Sequence, residues 1–372
     1  MKFTLCVTQA CNLACDYCYI VKQPKSMSAE TARKAVDFIY DHSSPNEVTR
    51  IGFFGGEPLL QFDRIKQLTE FIETHPDFAS NSIELSIATN GTIINQEIID
   101  FAKTHDISVG ISCDGPPIVH DLHRVDLKGM PSSIVIAENI DTCAQELSAF
   151  IVNAVHRPDT IEALPEAVDY FVEKGVKNIY LNPDYSATWD IADLRNVVKA
   201  YKEVGDLYIS YYLEQRPVFI SLIDYKITTI LRKGYRPEET CRMGRGEFAI
   251  TADGFIYPCE RLIGTGDGAD HCIGHLDTGI DASKMSCHTK QNRVLNSECL
   301  TCSLKDYCMN WCGCSNFMAS GYYNRVNDLI CVSEKAALGA AFEAFRVIEE
   351  KLGPTFCDHF FDSINDSSCI HE

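Results

Sequence analysis

The feature that most constrains the fold is a sixfold alternation of strand-like and helix-like stretches over the first 214 residues. The strand-like stretches are apolar or β-branched runs at residues 3–8, 49–54, 83–88, 108–112, 150–155 and 178–181. Helical periodicity fills the intervals, at residues 28–42, 62–75, 95–105, 132–147, 160–174 and 190–214. Strands that alternate with helices form a parallel sheet with helices outside. Six units are fewer than the eight of a closed barrel, so we predict a partial α/β barrel.

The composition changes after the sixth unit. Residues 215–240 read as a bridging segment, and the region that follows is rich in cysteine and glycine. Residues 333–352 have the pattern of a long helix, and a polar tail follows it. We therefore predict an α/β domain at residues 1–214 and a bridge at 215–240. A cysteine-rich domain would follow at 241–335, and a helix with a tail at 336–372.

The cysteine count and the charge limit the possible partners. The chain has 18 cysteines, but its first ten residues lack the apolar stretch of a secretory signal. It also lacks an apolar run long enough for a transmembrane helix. A net charge of −19 disfavours phosphate backbones and anionic lipid. We expect a cytoplasmic protein whose clustered cysteines bind metal, with no nucleic-acid or membrane partner.

Three cysteines follow the first predicted strand as Cys-x₃-Cys-x₂-Cys, at Cys11, Cys15 and Cys18. Three thiolates this close can hold an iron–sulfur cube and leave one iron without a protein ligand. An open metal position is what a catalytic centre needs. The alternative is a zinc knuckle, which requires a fourth Cys or His that the local loop does not supply.

Further motifs stand at the ends of the next three predicted strands. The second strand runs into Gly55, Gly56, Glu57 and Pro58. The two glycines let the backbone approach a ligand closely, and Glu57 offers a carboxylate for an ammonium group. The third and fourth strands run into Ala-Thr-Asn-Gly-Thr and Ser-Cys-Asp-Gly-Pro, which alone could be ordinary turns.

Taken in order, these motifs resemble the radical S-adenosylmethionine (SAM) superfamily. The resemblance implies a partial (β/α)₆ barrel with a catalytic [4Fe–4S] cluster on Cys11, Cys15 and Cys18, and with the amino group of SAM at residues 55–58. It implies a SAM contact at Ser112 and an aromatic ring, Tyr17, over the cluster loop. Arg124 becomes a candidate for the SAM carboxylate, with a surface position as the alternative.

A second set of cysteines follows residue 240, and a hairpin is predicted inside it by Asp253-Gly254 between two apolar runs. The order of seven cysteines resembles the SPASM extension of radical SAM enzymes: Cys241, Cys259, Cys299, Cys302, Cys308, Cys312 and Cys331. The alternative is a pair of zinc ribbons.

This second resemblance implies two auxiliary [4Fe–4S] clusters, three clusters in all. Cys241, Cys259 and Cys312 would hold the first, and Cys299, Cys302, Cys308 and Cys331 the second. The first set lacks a fourth ligand, because the position where some relatives have cysteine is Glu247. We favour Cys272 and leave Cys287, Cys314 or an open iron as alternatives.

The resemblance also implies an oxidoreductase. Reductive cleavage of SAM would give methionine and a 5′-deoxyadenosyl radical that takes a hydrogen atom from an unreactive carbon. Because SPASM enzymes mostly modify peptides, we expect a maturase for a ribosomally made peptide (RiPP) that forms a crosslink or oxidises a side chain. The auxiliary clusters would then be an exit for electrons. The alternatives are an anaerobic sulfatase-maturing enzyme, which makes formylglycine, and a non-catalytic iron–sulfur electron-transfer protein.

The expected partners follow from this chemistry. They are a peptide or protein substrate and a reductant such as flavodoxin or ferredoxin. Since the cluster motif begins at residue 11, no leader-binding domain is expected before it. A separate leader-peptide-binding protein would then supply recognition.

Overall fold

A computed structural model describes residues 1–45, 47–236, 240, 243–264, 270–286, 297–353 and 356. The strands in chain order are β1 (Lys2–Thr8), β2 (Val48–Gly55), β3 (Ser82–Thr89), β4 (Ile107–Ser112), β5 (Phe150–His156), β6 (Asn178–Pro183), β7 (Phe219–Ile220), β8 (Glu247–Ile250), β9 (Phe255–Tyr257), β10 (Gly274–His275) and β11 (Gly279–Ile280). The helices are α1 (Ala29–His42), α2 (Phe62–Glu73), α3 (Gln96–Thr104), α4 (Pro117–His120), α5 (Ser133–Glu146), α6 (Leu164–Glu173), α7 (Ile191–Leu213), α8 (Ser221–Leu231), α9 (Gly313–Ser320) and α10 (Asp328–Leu352).

All six predicted strand–helix units are present, in β1 to β6 and the helices that follow them. Polar caps mark several of the helix starts. Ser28 accepts a hydrogen bond from the backbone N–H of Thr31, and Asn95 caps α3 in the same way. The long final helix begins five residues before its predicted start because Asn327 caps it. The α/β fold class is therefore confirmed.

The first compact unit comprises Met1–Cys113, His120–Ile151 and Arg242–Arg293. Its strands lie in the order β11-β10-β9-β8-β1-β2-β3-β4, and β1 to β4 are parallel. Alternate strand residues bury one face of the sheet in a core shared with the helices, and this core includes Phe3, Ile51, Ile87, Ile39 and Leu68. The residues between them on each strand point to the other face of the sheet, and polar side chains can stand there and at the strand ends.

The predicted hairpin is β8–β9, in which Ala249 pairs with Tyr257 and Ile250 pairs with Ile256. It belongs to the first unit, because β8 pairs in parallel with β1 and sets Glu247 opposite Lys2. Nothing in the local sequence pattern indicated this long-range pairing. The predicted domain boundaries remain a prediction.

The second compact unit comprises Asp114–Val119, Val152–Cys241 and Val294–Glu372. Its strands β5, β6 and β7 are parallel neighbours. Helix α10 packs on α7 and α8. Gly205 permits close contact, since a Cβ there would lie 3.1 Å from Cβ of Ala340. The buried hydroxyl of Tyr208 donates to Asp224 at 2.9 Å and ties α7 to α8.

In the part of the chain that the structure describes, no helix is both long and apolar enough to cross a membrane.

Candidate active site

The three cysteines of the first motif lie in one loop directly after β1. The backbone N–H of Leu13 points at Sγ of Cys11 at 3.4 Å, and the N–H of Cys18 donates to the carbonyl of Cys15 at 3.4 Å. Cys11 and Cys15 are half-buried, whereas Cys18 is exposed. Burial first, with the Cys18 thiolate as a smaller contribution, raises the pKa of the Cys11 and Cys15 thiols. Three sulfur donors therefore share one short loop that is partly shielded from water.

The turn after β3 supports this loop from one side. Nδ2 of Asn90 donates to Oδ1 of Asn12 at 2.8 Å and lies 3.8 Å from Sγ of Cys11. Nδ2 of Asn12 in turn donates to Oγ1 of Thr92 at 2.8 Å. The segment Ala-Thr-Asn-Gly-Thr is therefore more than a turn, because Asn90 touches the cysteine loop directly.

The two glycines after β2 allow the backbone to approach the start of the same loop. A Cβ on Gly55, whose φ is 140°, would lie 2.1 Å from the carbonyl oxygen of Thr8, and one on Gly56 would lie 2.2 Å from that of Ala10. Both glycines are therefore required by the fold of the chain itself. Their predicted role toward SAM remains a prediction.

The carboxylate of Glu57 is fully buried and accepts three hydrogen bonds. The donors are Oγ1 of Thr89 at 2.7 Å, the N–H of Asn90 at 2.7 Å and the N–H of Leu59 at 3.0 Å. Burial raises the pKa of Glu57 to about 7, although these hydrogen bonds oppose the shift. Pro58 is also buried and begins a short 3₁₀ helix, Pro58–Gln61. Glu57 therefore holds the turns after β2 and β3 together.

The segment after β4 supports the loop from another side. The N–H of Ala14 donates to the carbonyl of Val125 at 2.7 Å, and Nδ1 of His123 lies 2.8 Å from Oδ2 of Asp16. Neither Asp16 nor His123 was predicted as a site residue. The sequence offers only their positions as a signal, since Asp16 lies between two motif cysteines and His123 precedes Arg124.

Arg124 is buried, so the alternative of a surface position is wrong. Its guanidinium carbon lies 5.2 Å from the centre of the Tyr17 ring. The positive charge of Arg124 favours the Cys15 thiolate, although burial outweighs it and keeps the pKa of Cys15 raised. Ser112, the last residue of β4, is half-buried. The predicted contacts of Arg124 and Ser112 with SAM remain predictions.

The four cysteines predicted for the second auxiliary cluster are all described, and all belong to the second unit. The N–H of Cys302 donates to the carbonyl of Cys299 at 3.0 Å. Burial and then the thiolates of Cys331 and Cys302 raise the pKa of Cys299. Cys331 lies in the first turn of α10, and Cys308 follows a short 3₁₀ helix. The donor chemistry suits an iron–sulfur cluster.

A buried ion pair flanks Cys308, and the sequence did not predict it. Nζ of Lys226 donates to Oε2 of Glu334 at 2.6 Å and to the carbonyl of Tyr307 at 3.2 Å. The same Oε2 accepts a hydrogen bond of 2.6 Å from the N–H of Met309. The two residues adjoining Cys308 are thus tied to α8 and α10. Burial, followed by the Glu334 charge, raises the pKa of the Cys308 thiol.

The cysteines predicted for the first auxiliary cluster are less completely described, since Cys241 and the alternative Cys287 lie outside the described residues. In the first unit Cys259 is buried directly after β9, while Sγ of Cys272 donates to the carbonyl of Gly274 at 3.4 Å. In the second unit Cys312 immediately precedes α9, and its sulfur lies 3.6 Å from that of Cys314.

Comparison with known families decides the class of the protein. The model of the radical SAM superfamily matches residues 5–200, which include the cysteine loop and the strand ends that support it. The chain belongs to the radical SAM superfamily. This radical SAM protein also resembles individual curated proteins.

An uncharacterized protein of Methanocaldococcus jannaschii is 35% identical over 174 residues, which are 46% of this chain and 59% of that protein. The chain thus spans less than two thirds of that relative. The cysteine-type anaerobic sulfatase-maturating enzyme of Clostridium novyi is 23% identical over 350 residues, or 88% of this chain and 91% of the enzyme.

Among solved structures, anSMEcpe with bound AdoMet and Cp18Cys peptide superimposes with a TM-score of 0.78 at 21% identity. The match covers 94% of this chain and 99% of that one. This similarity supports the radical SAM fold with a cysteine-rich C-terminal region.

Membership in the superfamily implies a [4Fe–4S] cluster and SAM. The residues of the first loop fit that cluster, because three sulfur donors are present and Asn90, Asp16 and His123 position their loop from two sides. The number of auxiliary clusters and the ligand of each iron remain predictions.

Proposed function

We propose that this radical SAM enzyme oxidises a side chain of a peptide or protein substrate by hydrogen abstraction. The observation that carries the proposal is the three-cysteine loop, supported by the ends of β2, β3 and β4, in a chain that matches a peptide-bound radical SAM structure over nearly its whole length. When bound, the cluster and SAM supply a 5′-deoxyadenosyl radical, and the auxiliary clusters supply an acceptor for the second electron.

Each residue of the site then has a distinct task. Cys11, Cys15 and Cys18 hold the catalytic cluster, and Asn90 orients their loop through Asn12. Glu57 keeps the turns after β2 and β3 together, and its carboxyl group is an acceptor for the ammonium group of SAM. Arg124 is the cation for the SAM carboxylate, and Ser112 is a further SAM contact at the end of β4.

The auxiliary ligand sets complete the proposal. Cys299, Cys302, Cys308 and Cys331 hold one cluster, and Cys241, Cys259 and Cys312 hold part of another. A flavodoxin or ferredoxin would supply the reducing electron, and a separate leader-binding protein would bring a ribosomal peptide substrate. The product in that case is a crosslink or an oxidised side chain.

The test begins with anaerobically reconstituted full-length protein. We expect on the order of twelve irons per chain, four for each cubane, and formation of 5′-deoxyadenosine from SAM with dithionite. Absence of SAM cleavage would favour an electron-transfer protein and would refute the proposed enzyme. Replacing Cys302 by Ala should spare some uncoupled SAM cleavage and remove the modified peptide.

Formylglycine formation is the second candidate, and one observation favours it. The Clostridium novyi relative and this chain match over about nine tenths of both lengths. Peptides with a Cys or Ser at the position that is oxidised in sulfatases would be incubated with the enzyme, SAM and reductant. An aldehyde trapped by a hydrazide would support this reaction, whereas a peptide that loses two hydrogens without an aldehyde would support crosslinking.

A further inference from the structure

A lysine on α10 stands beside the cysteines predicted for the second auxiliary cluster. Cys331 lies in the first turn of α10, and Lys335 follows it one helical turn later. Side chains four residues apart lie on the same face of a helix, with about 5–6 Å between their Cβ atoms. Cys331 is half-buried, whereas Lys335 is exposed. The Lys335 ammonium therefore lies next to the Cys331 sulfur and within reach of solvent.

The charge of Lys335 reaches all four of these cysteines. Hydrogen bonding to the Cys331 sulfur is the main cause that raises the pKa of the Lys335 ammonium. The charges of Cys302 and Cys308 raise it further. In the other direction, the Lys335 charge favours the Cys299 thiolate, although burial outweighs it and keeps the pKa of Cys299 raised. The groups that stabilise this ammonium are thus cysteines of one predicted ligand set, which lies wholly in the second unit.

The neighbouring ion pair fixes the position of this lysine. Glu334, the residue before Lys335, accepts hydrogen bonds of 2.6 Å from Nζ of Lys226 and from the N–H of Met309. Because Met309 adjoins Cys308, these bonds hold α10 against the cysteine segment. The side chains of Lys226 and Glu334 are only 5% and 13% exposed, and their opposite charges offset each other at short range. Lys335 is then a further positive charge beside the same cysteines.

We propose that Lys335 raises the reduction potential of an iron–sulfur cluster held by Cys299, Cys302, Cys308 and Cys331. Reduction adds one negative charge to such a cluster, so a nearby ammonium group favours the reduced state. A hydrogen bond to a ligand sulfur acts in the same direction. The inference rests on the proposed function, which assigns acceptance of the second electron to the auxiliary clusters. Lys335 tunes that acceptor from the same helix that supplies Cys331.

The test uses full-length protein carrying Cys15→Ala, which removes the signal of the catalytic cluster. Redox titration followed by electron paramagnetic resonance gives the potential of each remaining cluster, and the additional change Cys302→Ala shows which signal belongs to this set. Lys335→Gln should lower the potential of that signal and leave the other signal and the iron content as in the parent. Lys335→Arg should keep the parent potential. Because Lys335 is exposed, the shift should shrink as the salt concentration rises.

Lys351→Gln is the matched control, because Lys351 is an exposed lysine in the last turn of the same helix. It should leave both potentials unchanged. Equal shifts in Lys335→Gln and Lys351→Gln would show that the potential follows net charge alone, and would overturn the proposal. An unchanged potential in Lys335→Gln, or a loss of iron in place of a shift, would overturn it as well. Absence of iron from the Cys15→Ala parent would instead refute the auxiliary clusters of the proposed function, and this inference with them.

Discussion

The backbone N–H of Asn90 donates a 2.7 Å hydrogen bond to Oε2 of Glu57, so the turn after β3 is fastened to the turn after β2. The side chain of Asn90 then reaches Asn12 and Cys11 in the cysteine loop. A buried carboxylate is thus connected to the cluster loop through a single asparagine. Three motifs that are far apart in the sequence therefore act as one support.

Cys15→Ala is expected to abolish SAM cleavage, because the catalytic cluster loses one of its three sulfur ligands. The measurement is 5′-deoxyadenosine formed under dithionite, together with iron per chain. Cys143→Ala is the control, since Cys143 is a buried residue of α5; it should cost about 1 kcal/mol of stability and keep cleavage. Continued 5′-deoxyadenosine formation by Cys15→Ala would show that this cysteine is not a ligand.

Asn90→Ala removes the side-chain hydrogen bond to Asn12 and the contact with Cys11. The loss of about 1–1.5 kcal/mol of loop stabilisation should slow SAM cleavage on the order of tenfold and speed iron loss to a chelator. Asn196→Ala is a suitable comparison, because the Asn196 amide donates to Glu162 in an exposed hydrogen bond. Chelation kinetics equal to wild type in Asn90→Ala would rule out the supporting role.

Glu57 should make stability depend on pH. The pKa of its carboxyl is about 7 in the folded protein and near 4.5 when unfolded, so between these values the folded state binds more protons. Stability should therefore fall as pH rises from about 4.5 to 7, by roughly 3 kcal/mol, and should level off above that range. Chemical unfolding of the iron-free protein at several pH values measures this effect.

Glu57→Gln should remove that part of the pH dependence. The amide lacks one acceptor that the donors of Thr89, Asn90 and Leu59 use, so the variant should also be less stable throughout. If the stability of Glu57→Gln still falls with the wild-type slope between about pH 5 and pH 7, Glu57 is excluded as the source of the pH dependence.

Lys226→Met should destabilise the second unit by about 3–5 kcal/mol, because it leaves Glu334 buried without its cation. The Cys308 segment should then release iron more readily. A double variant, Lys226→Met with Glu334→Leu, should recover part of the lost stability.

Lys202→Met is the control, because it removes an exposed ion pair with Asp206 and should change stability by less than about 1 kcal/mol. Thermal unfolding compares them, and equal effects of the two lysine variants would contradict the prediction.

The sequence by itself determined the order of elements and the spacing of the cysteines. Six strands and their helices were predictable because local periodicity and polar caps are short-range properties. The three-cysteine loop was predictable because its ligands are neighbours along the chain. Pairing of β8 with β1 was not, since a strand of four residues contains no signal for a partner more than two hundred residues away.

Only the tertiary structure decided how the site is supported. It buried Arg124 beside the Tyr17 ring, surrounded the Glu57 carboxylate with three hydrogen-bond donors and paired Lys226 with Glu334. It also set Glu247 of β8 opposite Lys2 of β1. Each of these relationships depends on desolvation or on contact between distant segments. Such energies arise only once the chain has folded, whereas helix caps and apolar periodicity are already present in the local sequence.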